Sequence, residues 1–345
     1  MHIDPVQLTR QLIDIESTTF EEGAVGVFLA EYLTKHGFLV ETMPIPQPEG
    51  SSSTAPRANV YAAAQSEPPI VTLSTHMDTV PPYFGSSEDE QFIYGRGACD
   101  AKGIIAAQIV AAERLREAGV PVALLFVVGE ERDSAGARVA NQQPRGSRFL
   151  INGEPTDNRV ALASKGALRA VVKASGKMAH SAYPELGDSA THKLVHALDR
   201  ILAIRLPENP EIGPSTLNIG IMHGGYAPNV IADQAEAQIL VRLVGDSAST
   251  KAALEQAAAG AETEISYPLE IPFQRLRTLE GLPTMIAAFT TDVPWLSAWG
   301  EPVLLGPGSI HVAHTPNERL AKQELFEAIE LYVEVAKRLA EEPVA

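Results

Sequence analysis

Apolar residues recur at helical spacing over residues 6–15 (Val6, Leu8, Leu12, Ile13, Ile15) and over 25–36, where Val25, Phe28, Leu29, Tyr32 and Leu33 lead to a stop at Gly37. Three strand-like runs follow, at 38–43, 59–64 and 70–74, the last apolar throughout, as a buried strand is. Residues 44–56 between them are rich in Pro and Ser and read as a surface loop. The Ala-rich stretch 104–118, closed by Gly119, predicts a helix, and 122–128 is a continuous apolar strand stopped by Gly129. Strands alternating with helices predict an α/β fold, a mostly parallel sheet covered by helices on both faces.

After about Ala163 the order changes to a strand (168–174), a helix (190–206), two strands (215–221 and 235–243), a helix (249–259) and a strand near 263–267. This is the order of a split βαβ, ferredoxin-like α+β insertion. It predicts an inserted domain over 165–271 and a first domain built from 1–164 and 272–345. Helices at 283–296 and 322–341, flanking a strand at 303–305, are expected to complete the first domain.

The length of 345 residues suits two domains, and 45 % hydrophobic with 20 % charged residues is ordinary globular composition. Lys plus Arg number 27 against 43 Asp plus Glu, a formal charge of -16, which repels phosphate backbones and anionic bilayers. Nucleic acid and membrane are therefore not expected partners. A single cysteine, Cys99, rules out an intramolecular disulfide framework and suits a reducing compartment. Asp4, Arg10, Asp14 and Glu16 interrupt any apolar run in the first twenty residues, and no stretch reaches membrane-spanning length. The expectation is a soluble cytoplasmic protein.

The candidate chemistry lies where apolar strands end, which is where open α/β sheets place their sites. In Ser74-Thr75-His76-Met77-Asp78, His76 and Asp78 alternate by two and share one face of an extended chain, and Asp supporting the far nitrogen of a metal-bound His is a recurring device. Gly95-Arg96-Gly97-Ala98-Cys99-Asp100 lacks the third glycine of a dinucleotide loop and presents Asp100 at a rim. Gly129-Glu130-Glu131 sends two carboxylates to opposite sides, one free to bind metal and one to face a water. Glu154 in Asn152-Gly153-Glu154-Pro155-Thr156 and His314 in the stretch 306–318 complete the set. Taken singly, each has an ordinary reading as a turn cap or a solvated carboxylate. Together, one His from each end and the carboxylates between them make a ligand count for two divalent metals. His192 and His196, four apart, lack the Glu of a zinc-protease helix, and Cys99 reads as a small buried residue.

With these motifs in order, from residues 74–81 through 95–103, 129–131, 153–156 and 176–184 to 313–318, the chain resembles the M20 metallopeptidases. That family holds acetylornithine deacetylase, succinyl-diaminopimelate desuccinylase, aminoacylase and glutamate carboxypeptidases. The resemblance implies a zinc-peptidase-like catalytic domain and an inserted lid or dimerisation domain. It implies metal ligation by His76, Asp100, Glu131, Glu154 and His314, with Asp100 bridging, His76 and Glu154 at one ion, and Glu131 and His314 at the other. It makes Asp78 the support of His76 and Glu130 the general base. It also implies that His180 stabilises the transition state, often across a dimer, and that Asn229 and Arg242 approach a substrate carboxylate, with a backbone contact at Gly308. Arg suits a carboxylate because its planar fork meets it with two hydrogen bonds.

The function implied by the resemblance is that of a two-metal hydrolase, with Zn2+ and alternatively Co2+ or Mn2+, cleaving the amide of an N-acyl amino acid in the manner of acetylornithine deacetylase. The alternatives are a desuccinylase, a dipeptidase or carboxypeptidase on small peptides, and, outside enzymes, a metal-free binding module on the same fold. An intact ligand set speaks against the last. The Gly-Glu-Pro-Thr setting of Glu154 resembles the deacetylase and desuccinylase branch, whereas Arg132-Asp133-Ser134 after the Glu pair departs from the acidic or glycine-rich stretch of many relatives. A homodimer through the inserted domain is expected.

Overall fold

A computed structural model describes residues 3–47 and 55–343. The chain divides into two compact units, Met1–Leu162 with Leu276–Met285 and Thr291–Ala345, and Ala163–Arg275 with Ile286–Thr290. The expected boundaries were 164/165 and 271/272; the short return of Ile286–Thr290 to the second unit has no signature in the sequence. In chain order the main strands are β1 (Leu39–Pro44), β2 (Ala58–Ala63), β3 (Val71–His76), β4 (Val122–Val127), β5 (Phe149–Asn152), β6 (Gly166–Ser175), β7 (Thr216–Gly224), β8 (Gln234–Leu243), β9 (Thr263–Ile271) and β10 (Glu301–Leu304). The helices are α1 (Pro5–Ile13), α2 (Gly23–Lys35), α3 (Gly103–Glu117), α4 (Ala135–Ala140), α5 (Ala190–Leu202), α6 (Ala248–Ala259) and α7 (Lys322–Ala340).

The first unit is built on a six-stranded mixed sheet in the order β1-β2-β4-β3-β5-β10. β3, β4, β5 and β10 run parallel, and β1 and β2 are antiparallel at one edge. Burial on both faces explains the unbroken apolar run of β4. Its Val122, Leu124 and Phe126 pack with α1, α2, α3 and α7, while Ala123, Leu125 and Val127 pack on the other face with Ala137, Leu296 and Trp299. α1 starts where Asp4 accepts from the Val6 and Gln7 amides ahead of Pro5, a capped N-terminus with proline at its first position.

The second unit is an antiparallel sheet in the order β7-β8-β6-β9 with α5 and α6 between its strands, the split βαβ order. Leu168, Ala170 and Val172 of β6 alternate with exposed Arg169 and Lys173 and meet Ala237, Ile239 and Val241 of β8 and the apolar stripe of α5. One buried and one open face is the usual economy of an antiparallel sheet. α5 ends at Leu202 rather than 206.

One element differs in kind. Residues 283–296, expected as a helix, form a short strand, Thr284–Ala287, and a 3-10 turn, Val293–Trp295. Pro294 removes an amide, and the β-branched Thr284, Ile286, Thr290 and Thr291 favour extended backbone. The expected loop at 44–56 falls for residues 48–54 outside the described residues; Pro44 ends β1. No helix among the described residues is long and apolar enough to cross a membrane.

Buried charge is paired in the first unit. Arg57 Nε and Nη2 donate to the two oxygens of Glu22 at 2.8 and 3.0 Å, both side chains out of water. Burial pushes the Glu22 carboxyl up, against the lowering pull of Arg57. Arg57→Met is expected to destabilise the protein by about 3 kcal/mol in urea titration, because it strands a buried carboxylate, and adding Glu22→Leu to it should return much of that loss. A single variant no less stable than wild type would contradict this account.

Candidate metal centre

Four parallel strands deliver their carboxyl ends to one edge, and the candidate residues sit there. His76 is the last residue of β3, Gly129–Glu131 follow β4, Glu154 follows β5, and His314 lies on the segment after β10. Asp100 comes from the turn Ala98–Lys102 that precedes α3. Asp100 Oδ1 lies 2.9 Å from His76 Nε2 and Asp100 Oδ2 3.2 Å from His314 Nε2, so one carboxylate faces both histidines. Glu131 Oε1 lies 2.8 Å from the same His314 nitrogen.

Among the described residues, three sets of potential ligand atoms each lie within 4.8 Å of one another: His76, Asp100 and Glu154; Asp100, Glu131 and His314; and His76, Glu130 and Glu131. The first two share Asp100 and divide the ligands as the sequence resemblance does. A further sign that cations belong here is Glu154 Oε1, buried without a hydrogen-bond partner. Hard carboxylate oxygens and imidazole together suit first-row divalent ions.

The electrostatics agree. Burial, then the charge of Glu154, pushes Glu130 well above the usual carboxylate range, and burial does the same to Glu154. Burial also raises Glu131, against its bond to His314. His314 is pushed up to about 10 by its bonds to Asp100 and Glu131. For His76, burial would lower the imidazole, but Asp100 and Asp78 outweigh it and hold it well above its ordinary value. Asp100, for which burial alone would do the opposite, is held low by His314 and His76. Without metal, the site balances its acids with protons and imidazolium.

Asp78 does more than the sequence suggests. Its backbone oxygen lies 2.9 Å from His76 Nδ1 and its carboxylate 3.5 Å away. The carboxylate instead accepts the Gly129 and Glu130 amides at 3.0 and 3.1 Å, the Glu131 amide at 3.2 Å and the Thr19 hydroxyl at 2.8 Å. One buried residue therefore sets both the His76 ring and the backbone of the Glu130-Glu131 pair. Gly129 is required in that loop: its φ is +82°, and a Cβ would lie 2.6 Å from Arg57 Nη2.

Several residues of the site escaped the sequence. Asp292 is buried, neither of its oxygens has a partner at full hydrogen-bond geometry, and burial pushes it up to about 7 against the lowering pull of the nearby Ser134. It lay hidden in the stretch read as a helix, although an acid ahead of Pro294 could have marked a turn. Glu318 accepts Arg96 Nη1 at 2.6 Å, the Gly97 amide at 2.9 Å and the Asp100 amide at 3.3 Å, which ties the Asp100 turn to the C-terminal segment. Cys99 is buried and its thiol pushed up by burial, which makes it an inert core residue. Gly308, at φ +84°, packs against Cys99, where a Cβ would come within 2.5 Å of the Cys99 Cβ.

In the second unit, His180 and Asn229 come together. The short strand Ala179–His180 pairs with Val230–Ile231, and the Ser181 amide donates to the Asn229 carbonyl. The Ala182 amide donates to His180 Nδ1 at 3.1 Å, which leaves Nε2 of the exposed ring as the nitrogen free to donate. Arg242 stands apart on β8, half-buried, its guanidinium pulled down by burial.

The raised carboxyl and imidazole groups give a signed expectation. The folded, metal-free chain holds protons on Glu130, Glu154, Asp292 and His314 that the unfolded chain releases, so stability is lost as pH rises from about 4 to about 10. The melting temperature of chelator-treated protein should fall across that range, and saturating Zn2+ should flatten the fall. A metal-free melting curve that rises over the same range would contradict this charge balance.

Residues 72–338 match the model of peptidase family M20/M25/M40. A peptidase M20 domain-containing protein of Schizosaccharomyces pombe is 37 % identical over 335 residues, covering 95 % of this chain and 82 % of its own length. A probable carboxypeptidase of Aspergillus terreus is 37 % identical over 361 residues, covering 94 % and 83 %. The crystal structure of a tripeptidase from Staphylococcus aureus superposes with a TM-score of 0.80 over 98 % of both chains at 23 % identity, a likeness of fold. A ligand cluster at the carboxyl edge of the sheet, an inserted split βαβ unit and a family match across most of the chain lead to one conclusion: this chain belongs to peptidase family M20/M25/M40 and is a hydrolase of the metallopeptidase class.

Proposed function

We propose that the protein is a two-metal peptidase of carboxypeptidase or dipeptidase type, cleaving the amide that joins the last residue of a small peptide to its acyl partner. The observation that carries this reading is the pair of ligand triads sharing Asp100, with Glu130 beside His76 and Glu131. His76 and Glu154 would hold one ion, Glu131 and His314 the other, and Asp100 both. Zn2+, Co2+ and Mn2+ all suit this ligand set, since affinity follows the metal more than the site. Peptide rather than acyl amino acid as substrate is supported by relatives named as probable carboxypeptidases at 34 to 37 % identity. Deacylation of N-acetylornithine is the second reading, favoured by the Gly153-Glu154-Pro155-Thr156 setting.

Divalent ions held there supply Lewis acidity, lowering the pKa of water toward neutrality and polarising the amide carbonyl. Glu130 takes the proton of the attacking water and delivers it to the leaving amine nitrogen. Its raised affinity for a proton, caused by burial and Glu154, matches a base that works near neutral pH. Asp78 limits the travel of Glu130 by gripping the backbone on both sides of it. His180 presents an Nε2 proton suited to a developing oxyanion, and Arg242 and Asn229 suit a substrate carboxylate. Gly308 would offer backbone to the substrate. A homodimer through the second unit is supported by exposed Val195 and Leu202 on one side of α5 and by Ile221 and Met222 on the edge strand β7.

The test is release of free amino acid from a dipeptide panel, with N-acetylornithine and N-succinyl-diaminopimelate alongside, using zinc-loaded and chelator-treated protein. Turnover confined to the loaded protein and to peptides is the expected result; turnover of N-acetylornithine alone would move the assignment to the second reading, and turnover unaffected by chelation would end it. Glu130→Ala should retain the wild-type metal content by elemental analysis while turnover falls at least about a hundredfold. Near-normal turnover would remove Glu130 as the base.

A further inference from the structure

We propose that a cavity of about 280 Å3 in the first unit, walled by Thr18, Thr19, Val80, Pro81, Glu131 and Arg132, is the subsite for the acyl side of the substrate, and that Arg132 makes it selective for acyl groups carrying a second carboxylate, such as an N-terminal aspartyl residue or a succinyl group. This rests on the proposed peptidase function and names its substrate class.

Glu131, a candidate ligand, forms one wall, so an occupant lies beside the reacting carbonyl. The volume suits one residue-sized group rather than a long peptide. Val80 and Pro81 offer apolar surface to a short carbon chain. The Thr19 hydroxyl is committed to Asp78, which leaves Arg132 as the one charged donor among the lining residues. Arg57, Arg96 and Arg145 are each engaged by a carboxylate, whereas Arg132 makes no ion pair among the described residues. Its neighbour Asp133 turns its carboxylate to the Ala135 amide instead. An arginine without an ion pair among the residues that line a cavity, in a chain of net charge -16 that repels anions generally, is a local point of attraction for a carboxylate. The amine-side carboxylate needs no help from it, since Arg242 and Asn229 take that part in the proposed function.

The experiment compares kcat/KM of the zinc-loaded full chain for Asp-Leu against Ala-Leu and for N-succinyl-leucine against N-acetyl-leucine, in wild type, Arg132→Gln and Arg132→Lys. The expected result is a wild-type preference for the acidic member of whichever pair is turned over. In Arg132→Gln the acidic-to-neutral ratio should fall about tenfold, mainly through KM, and Arg132→Lys should restore part of it. A ratio within twofold of wild type in Arg132→Gln, or a wild-type preference for the neutral member, overturns the proposal. Thermal stabilisation of the zinc-loaded protein by succinate over acetate, lost in Arg132→Gln, is a readout without turnover. If neither pair is hydrolysed, the dipeptide panel decides the peptidase reading separately, and the succinate titration decides the subsite: stabilisation lost in the variant supports it, and no stabilisation overturns it.

Discussion

Asp100, Glu130, Glu131, Glu154 and Asp292 converge at one edge of a buried sheet, and each must be held there against the repulsion of the others. Such a gathering of acids is costly in a low-dielectric interior unless cations or protons offset it. His76 and His314 supply part of that offset in the metal-free chain by lying within hydrogen-bond reach of Asp100. Much of the surrounding architecture is a response to the same constraint. Strand ends carry most of the candidate ligands, a turn and a loop bring in the rest, and carboxylates away from the site are neutralised by close partners.

Those partners give the first unit its unusual share of buried charge. Glu22 meets Arg57 beneath the Gly129 loop, and Glu318 meets Arg96 beneath the Asp100 turn. Lys102 reaches the Ile15 carbonyl at 2.6 Å, its ammonium pushed down to about 7 by burial. Each of these groups bonds backbone or packs against it where the chain presents a candidate ligand. A buried ion pair contributes little net stability, but its demand for correct geometry fixes the backbone around it. In this fold those pairs flank a cluster whose candidate ligand atoms lie within 4.8 Å of one another.

The second unit is built on other terms. Its core is apolar, and of the groups that the resemblance singled out, His180 and Asn229 are exposed on turns and short strands while Arg242 is half-buried on β8. His180 owes its tautomer to a local bond from Ala182, within two residues, so its chemistry is set by the turn itself. The contrast is physical: a dense cluster of charge needs a scaffold covered on both faces, whereas donors that meet a substrate carboxylate or oxyanion need exposure.

Sequence alone determined the alternation of strands and helices, the split βαβ order of the insertion and the residues at the ends of apolar strands, because hydrophobic period and local stop signals are properties of neighbours along the chain. His76, Glu130, Glu131 and Glu154 were legible because each lies at or just beyond the end of a buried strand. Asp292 was not, since proline and β-branched residues overrode an apparent helical period at 283–296 and turned its side chain inward. The wider role of Asp78 was likewise invisible: its acceptors are filled by amides and a hydroxyl from residues 19 and 129–131, and only parallel pairing of β3 with β4 brings them within reach. Which carboxylate faces both histidines and which acids are buried short of hydrogen-bond partners were decided by tertiary structure, because each depends on segments tens to hundreds of residues apart meeting out of water.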